Sequence, residues 1–478
     1  MFTKKHVLLL LSAVLTLSVA SKAQSEQPTD GKAIKYRRSS LHLILSESDN
    51  FPMKDTVVAS YRKAPFPDKY NNHSVDVNTF VPSEYLLTDA ERDSLGIKKA
   101  GAGADLAADL TMGISDPLAD DMPFMLQKFM KDKKVAHKMV ANWFKRDPQD
   151  GSFDMSMIAE RGSYNASELD VATARGSARG LASVADAGVE LIQNTFVVVN
   201  RLNFVSNEIP ARILRDAAKL AASKIPSAIG QELAMTAADL AYEKAKEGYS
   251  VFATSYLFQL EWNDSTEAVF YNDYWVNKGD ASAAARAEAF FNNDLFKMKY
   301  IGSEKSKALV TFSLKEQRSE IDYIEEATVR AVDNVYGKLQ KAYEVFKPKV
   351  PLLTGEPVTA KIGMKEGLEG GEKFEVLEQT VDVATGATKY VRVGTITVDK
   401  KKIWDNRYVA GSTPPPAAAE ATAEVAPVEA APAEGAEADK KDKKKKGKEE
   451  ASSDPNLDRT YFKGGKNLYA GMLIRQIK

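Results

Sequence analysis

The sequence predicts an α+β protein: helices packed on a central mixed sheet, followed by a small C-terminal β-barrel that carries a disordered insertion. Three observations carry this reading. Thr195 to Phe204 (TFVVVNRLNF) is the densest β-branched run in the chain and reads as a buried strand with helical segments on either side. Ile321, Ile324, Thr328, Ala331, Val335, Leu339, Tyr343 and Phe346 recur at three- and four-residue steps, so an amphipathic helix closes the domain against a sheet until Pro348 forbids its continuation. After Pro351 the chain turns to short apolar runs separated by Gly367, Gly370-Gly371 and Gly386, the pattern of a small barrel or sandwich.

The elements follow in order. Residues 1–23 read as a cleavable export signal: Lys4 and Lys5 precede an uncharged apolar run from Val7 to Ala20, and Ser21-Lys22-Ala23 sets small residues at the cleavage site. Cleavage after Ala23 leaves Gln24 first. Residues 24–149 form a strand, a loop and a helical region. Ser39 to Ser46 alternates like a strand, Pro65-Phe66-Pro67-Asp68 punctuates a loop, and 84–146 looks helical with a break at Gly101 to Gly103. Residues 150–348 form the α/β domain. A strand is expected at Phe153 to Ala159, a helix from Ser167 to about Gln193, and two helices near 209–223 and 228–246, with Gly248 as a stop. A hairpin is expected over 256–275: Tyr256, Phe258, Leu260 and Trp262 share a strand face, Asn263-Asp264-Ser265-Thr266 turns, and Ala268 to Trp275 returns. Strands at 297–302 and 307–313 precede the long helix. Residues 351–478 hold strands at Val358–Met364, Lys373–Gln379, Tyr390–Val398 and Leu468–Ile477. They are interrupted at 412–455 by an Ala/Pro/Glu tract and a lysine run too poor in apolar groups to order.

Composition excludes several function classes. With 27% charged and 44% apolar residues the chain is of ordinary globular type, and no second segment reaches the roughly 20 apolar residues of a membrane helix. The absence of cysteine removes disulfides, thiolate nucleophiles, Cys-based metal sites and a lipoprotein anchor. The formal charge is −1, and loss of Lys4, Lys5 and Lys22 makes the mature chain slightly more acidic. Such a balance offers no field for nucleic acid, so no nucleic-acid partner is expected.

No catalytic motif, metal-ligand spacing or cofactor loop stands out. His42, His73 and His137 lie in no ligand spacing, and isolated structural histidines are the expected reading; His73 alone, after Asp68-Lys69-Tyr70-Asn71-Asn72, falls in a polar aromatic loop suited to binding. Gly101-Ala102-Gly103 lacks the third glycine of a dinucleotide loop, and Gly176-Ser177-Ala178-Arg179-Gly180 misses the spacing of a nucleophile elbow. Paired carboxylates cannot be picked out of 66 acidic residues by sequence. Tyr256, Trp262, Tyr271 and Trp275 are candidates for a carbohydrate-stacking surface; the favoured alternative is a sheet packed on both sides by helices. Lys440 to Lys448 is read first as a solvated tether and second as a contact for anionic headgroups.

Three resemblances follow from these residues. The order of helix, FVVVNR strand, helices, YLFQLEW–AVFYNDYW and closing helix over about 150–347 resembles the α/β domain of the curli-secretion lipoprotein family, related to domains of flagellar assembly protein T and TolB. Ala360 to Gly363, Gly367 to Val376, Arg392 to Ile396 and Gly471 to Ile474 resemble the SH3-like barrel that closes flagellar assembly protein T. The leader followed by Gln24 looks like secreted proteins of the Bacteroidota, and Asp55-Thr56-Val57, Asp93-Ser94-Leu95 and Asp264-Ser265-Thr266 resemble that group's O-glycosylation motif. The expectation is a non-enzymatic periplasmic binding or scaffolding protein, peripheral to the outer membrane, with envelope proteins or glycans as partners and no cofactor. A glycan-active enzyme, or a carbohydrate- or peptidoglycan-binding protein using 256–275, is the alternative.

Overall fold

The computed structural model describes residue 37 and residues 39–47, 51–97, 118–165, 190–246, 249–280, 284–310, 319–381, 388–409 and 457–477. The export signal expected over 1–23, Gly101 to Gly103, the helix expected from Ser167, Gly248, the 412–455 tract and Lys440 to Lys448 lie outside the described residues.

The first body is a mixed sheet. Strands β1 (Ser40–Ser46), β2 (Asn71–Asn72), β3 (Thr79–Phe80), β4 (Thr195–Ser206), β5 (Tyr249–Leu260) and β6 (Met298–Val310) form it in the order β2-β1-β4-β5-β6, with β3 also on β1. β1 runs parallel to β4 from Ser40↔Thr195 to Ser46↔Arg201, whereas β4, β5 and β6 are antiparallel. β4 is apolar on both faces because both are covered. Val197 and Val199 face a core built with helices α3 (Met122–Asp132) and α4 (Val135–Trp143). Phe196, Val198, Leu202 and Phe204 face a second core with α1 (Lys54–Lys63) and the long helix α10 (Glu320–Ala342). The start of α10 is fixed by a capping box between Ser319 and Asp322.

The second body is the closed barrel, ordered β10-β11-β8-β7-β12-β9. Its strands are β7 (Val350–Gly355), β8 (Val358–Ala360), β9 (Lys373–Val381), β10 (Thr388–Val398), β11 (Thr460–Lys463) and β12 (Leu473–Gln476), and every pairing is antiparallel. A Cβ added at Gly355 would lie 1.8 Å from the Leu468 carbonyl oxygen, so only glycine lets these two backbones approach. Gly355→Ala should therefore lower stability by about 1–3 kcal/mol, read as a fall in thermal midpoint. An unchanged midpoint would refute this close approach.

Several local expectations need correction. The return strand Ala268 to Trp275 is absent: Asp264–Val269 is helix α8, and Phe270–Tyr274 is a π-helical turn. The Asn263 side chain accepts from the Thr266 N–H at 3.0 Å, so Asn-Asp-Ser-Thr starts a helix instead of turning a hairpin, and β5 pairs with β6. Residues expected as a strand at Phe153 to Ala159 enter a helix over Ser156–Asn165, with Asp154 accepting from the Ser156 N–H. The strands expected at 297–302 and 307–313 are, as far as Val310, one strand, β6, held along its length by β5; 311–313 lie outside the described residues. The long helix ends at Ala342, so Phe346 reaches the core from a short 3₁₀ turn.

Candidate functional site

Where the barrel meets the sheet body, a cavity of about 500 Å³ opens. Leu43 and Leu45 of β1 and Tyr61 and Arg62 of α1 line one side; the loop from Ala64 to Tyr70 lines the next. Two prolines, Pro65 and Pro67, stiffen that loop. Helix α10 supplies Val329, Asp333, Tyr336 and Gln340, whose three- and four-residue steps place them on one helical face. The barrel contributes Lys365 and Glu366 from the turn Met364–Glu366. That turn packs against Gly337 of α10, where a Cβ would stand in ordinary contact, 3.4 Å from the Glu366 carbonyl carbon and the Gly367 nitrogen.

The floor is a polar network set into the sheet. Asn200 is fully buried at the centre of β4; its Nδ2 donates to the Tyr61 hydroxyl at 2.8 Å and the Tyr336 hydroxyl at 3.4 Å, and its Oδ1 accepts from Ser255 Oγ at 2.6 Å. Burial pushes the Tyr61 phenol up to about 12. Gln340 donates to the Tyr70 hydroxyl at 3.1 Å, and that hydroxyl donates to the Phe346 carbonyl at 2.9 Å.

Charges gather at the barrel end. Lys69 pairs with Asp68 at 2.7 Å and Glu366 at 3.6 Å; burial opposes its charge, but Glu366 and Asp68 outweigh that and raise its pKa. Glu366 is committed, its Oε2 accepting from the Gly363 N–H at 2.8 Å and from Asn406 at 2.9 Å. Asp333 differs. Lys365 Nζ stands 3.5 Å from its Oδ1, while Oδ2 is buried with no hydrogen-bond partner. Burial pushes the Asp333 carboxyl up to about 6; Lys365 acts against this, and Glu366 and Asp68 add to it. Convergent polar groups and one displaced carboxyl make this cavity the candidate site among the described residues.

The residues singled out by sequence are not here. Tyr256 and Trp262 are 2% and 5% exposed and belong to the first core, so neither offers a face to a sugar. Tyr271 and Trp275 are half-buried against the same cluster, both stacking edgewise on Phe144 at 6.0 and 5.7 Å. Tyr256 and Trp262 are thus core, with Tyr271 and Trp275 packed against it, and the π-helical turn folds Phe270 inward against Trp262, Tyr271 and Trp275. His73 is fully buried instead of lying in an open loop. Its Nε2 lies 3.0 Å from the Met139 carbonyl, its Nδ1 lies 3.1 Å from Arg161, and Trp143 stacks on its ring at 4.6 Å. Burial lowers its pKa to about 3, so it is neutral and donates from Nε2 while accepting at Nδ1.

A second surface feature sits at the far end of β4 and β5. Helices α6 (Glu208–Ala222) and α7 (Ala228–Ala245) connect those strands and pack on each other. They are tied by Lys219–Asp239 at 2.6 Å, by the Arg215 guanidinium 4.4 Å from the Tyr242 ring centroid, and by the buried alanines Ala222 and Ala238. Several large apolar residues point away. Ile229, Leu233 and Leu240 occupy one face of α7 and are 79%, 73% and 60% exposed; Leu214 and Leu220 of α6 are exposed too. No cluster of three or more His, Asp or Glu able to hold a metal occurs among the described residues, and none of the helices described is long and apolar enough to cross a membrane. Comparison with known protein families and with curated proteins finds no match for this chain.

Proposed function

We propose that this chain is an exported, non-enzymatic scaffolding or binding protein of the bacterial cell envelope, working in the periplasm and peripheral to the outer membrane. The observation that carries the reading is the apolar stripe Ile229, Leu233 and Leu240 on a hairpin whose described interface includes two alanines, one ion pair and a cation–π contact. Contiguous exposed aliphatic groups mark a surface that a protein partner covers. Aliphatic side chains lack the flat faces that stack on sugar rings, so an envelope protein is favoured over a glycan. The leader sequence supports export. The order of mixed sheet and six-stranded antiparallel barrel is compatible with kinship to the curli-secretion and flagellar assembly T type, with the barrel of SH3-like form.

An enzyme acting on glycans is the second reading, and Asp333 favours it, because a carboxyl raised to about 6 is suited to proton donation. Such hydrolysis needs a second carboxylate at the bond being cut. Glu366 is held by Gly363 and Asn406, and Asp68 by Lys69. Binding therefore ranks above catalysis.

Leu233→Glu tests the leading reading. At an exposed position it should change stability by less than about 0.5 kcal/mol, measured by urea unfolding. Co-purification of the full-length chain with its envelope partner should nevertheless fall at least tenfold. Undiminished recovery by a folded variant would overturn the assignment of the hairpin.

A further inference from the structure

We propose that the cavity between α10, the 64–70 loop and the barrel turn binds a small organic amine in its ammonium form, with Asp333 as the anionic contact and a hydroxyl or carbonyl oxygen of the ligand facing Tyr61 and Tyr336. Four observations converge on this chemistry, and none depends on the hairpin.

First, Asp333 is only 9% exposed, lines the cavity, and leaves Oδ2 without a donor. An orphaned buried carboxylate oxygen is costly, and a rotation of the carboxyl that brings it to the cavity lets a ligand N–H satisfy it. Second, the ammonium groups already present are committed: Lys69 pairs with Asp68 and Glu366, and Lys365 stands beside the Oδ1 of Asp333. The Asp333 carboxylate attracts a further cation and repels an anion. Asp68 and Arg62, both exposed, lie at the rim of the cavity.

Third, Tyr61, Phe66, Tyr70 and Tyr336 form much of the wall. Aromatic faces attract an alkylammonium and also cover its apolar body. Fourth, Asn200 donates to both the Tyr61 and Tyr336 hydroxyls, which commits their lone pairs and turns the phenolic protons to other acceptors. A ligand oxygen at that end accepts from them. The volume of about 500 Å³ holds a molecule of sugar or aromatic-amine size.

Binding should also depend on pH. The charged and titratable groups facing Asp333 are Lys365 and Glu366 from the barrel turn, Asp68 from the loop and Tyr336 from its own helix. Asp333 loses its charge as pH falls through about 6, and an ammonium ligand loses its counter-ion with it.

The test is calorimetric titration of the full chain with three amines, glucosamine, putrescine and phenethylamine, each beside a neutral counterpart: glucose, 1,4-butanediol and 2-phenylethanol. At pH 7.5 at least one amine should bind at least tenfold more tightly than its counterpart. That affinity should fall about tenfold or more at pH 5 and in Asp333→Asn. The asparagine removes a carboxyl whose ionisation burial opposes, so folding is retained, which a thermal midpoint at or above the parent's verifies. Binding by none of the amines, equal binding of amine and neutral counterpart, or undiminished binding by Asp333→Asn would each overturn the proposal. Turnover of glucosamine-containing glycans with no amine binding would place catalysis in this cavity instead.

Discussion

Phe270→Ala should lower the free energy of unfolding by about 3–5 kcal/mol, the range for removing a large buried aromatic side chain. Phe270 is fully buried, with its ring centroid 4.6 Å from Phe144, 5.2 Å from Phe153, 5.6 Å from Trp262 and 6.0 Å from Phe296. Truncation empties the centre of that cluster, and neighbours anchored on α4, β5 and the segment before β6 cannot all close the void. The measurement is urea unfolding, with a lowered midpoint at unchanged m-value. The result bears on function as well as stability. Were 256–275 a sugar-stacking platform, its rings would be dispensable for folding, and a loss under about 1 kcal/mol would restore that reading.

The second large effect is acid destabilisation centred on His73. Its folded pKa of about 3 lies below the ordinary 6.5, so between those values the unfolded chain binds a proton that the folded chain excludes. Stability is full above pH 6.5 and is lost progressively as pH falls toward 3. At pH 4.5 the cost is roughly 2–3 kcal/mol for His73 alone, from about 1.36 kcal/mol per pKa unit. His42 and His137 are shifted in the same direction, also chiefly by burial. Asp333 acts oppositely: its folded value of about 6 exceeds the ordinary 3.8, so protonation between them favours the folded chain. Comparing His73→Gln with the parent cancels that term. The glutamine amide can still donate toward the Met139 carbonyl, and the gap in unfolding free energy between pH 7 and pH 4.5 should shrink by about 2 kcal/mol. An unchanged gap would mean that His73 is protonated in the folded state.

What was legible in the sequence was local. β4 announced itself because both of its faces are covered, which demands an unbroken apolar run. α10 was legible through the stripe from Ile324 to Leu339, although it ends at Ala342, short of the Phe346 expected on it. The barrel was legible through glycine-separated runs, although β7 and β11 were not. Pro351 sits inside β7 and argues locally against a strand, and β11 has only four residues; β7 forms between its hairpin partner β8 and the distant β12, and β11 pairs with β8 about a hundred positions away. Aromatic residues at 256–275 misled because stacking on a ligand and stacking in a core use the same side chains. Burial separates the two, and burial is a tertiary property.

The cavity had the weakest signature of all. Asp68, Asp333 and Glu366 come from a loop, a helix and a barrel turn, the loop lying hundreds of positions from the other two. One trace existed: Asp333, Tyr336 and Gln340 make a polar and aromatic stripe beside the apolar stripe of α10. A helix buried on its apolar face with such a neighbouring stripe borders either solvent or a polar cavity, and the barrel turn at Lys365 decides for the cavity.

The hairpin at 208–245 remains the centre of the account, because its leucines face outward where its own fold does not need them. Photocrosslinking in intact cells tests it most directly, with a photoreactive residue at Leu233 and a control at Val393, an exposed site on the barrel. The account predicts a discrete adduct with one or a few envelope proteins from position 233 and none from 393. No adduct from 233, or the same products from both positions, would contradict it.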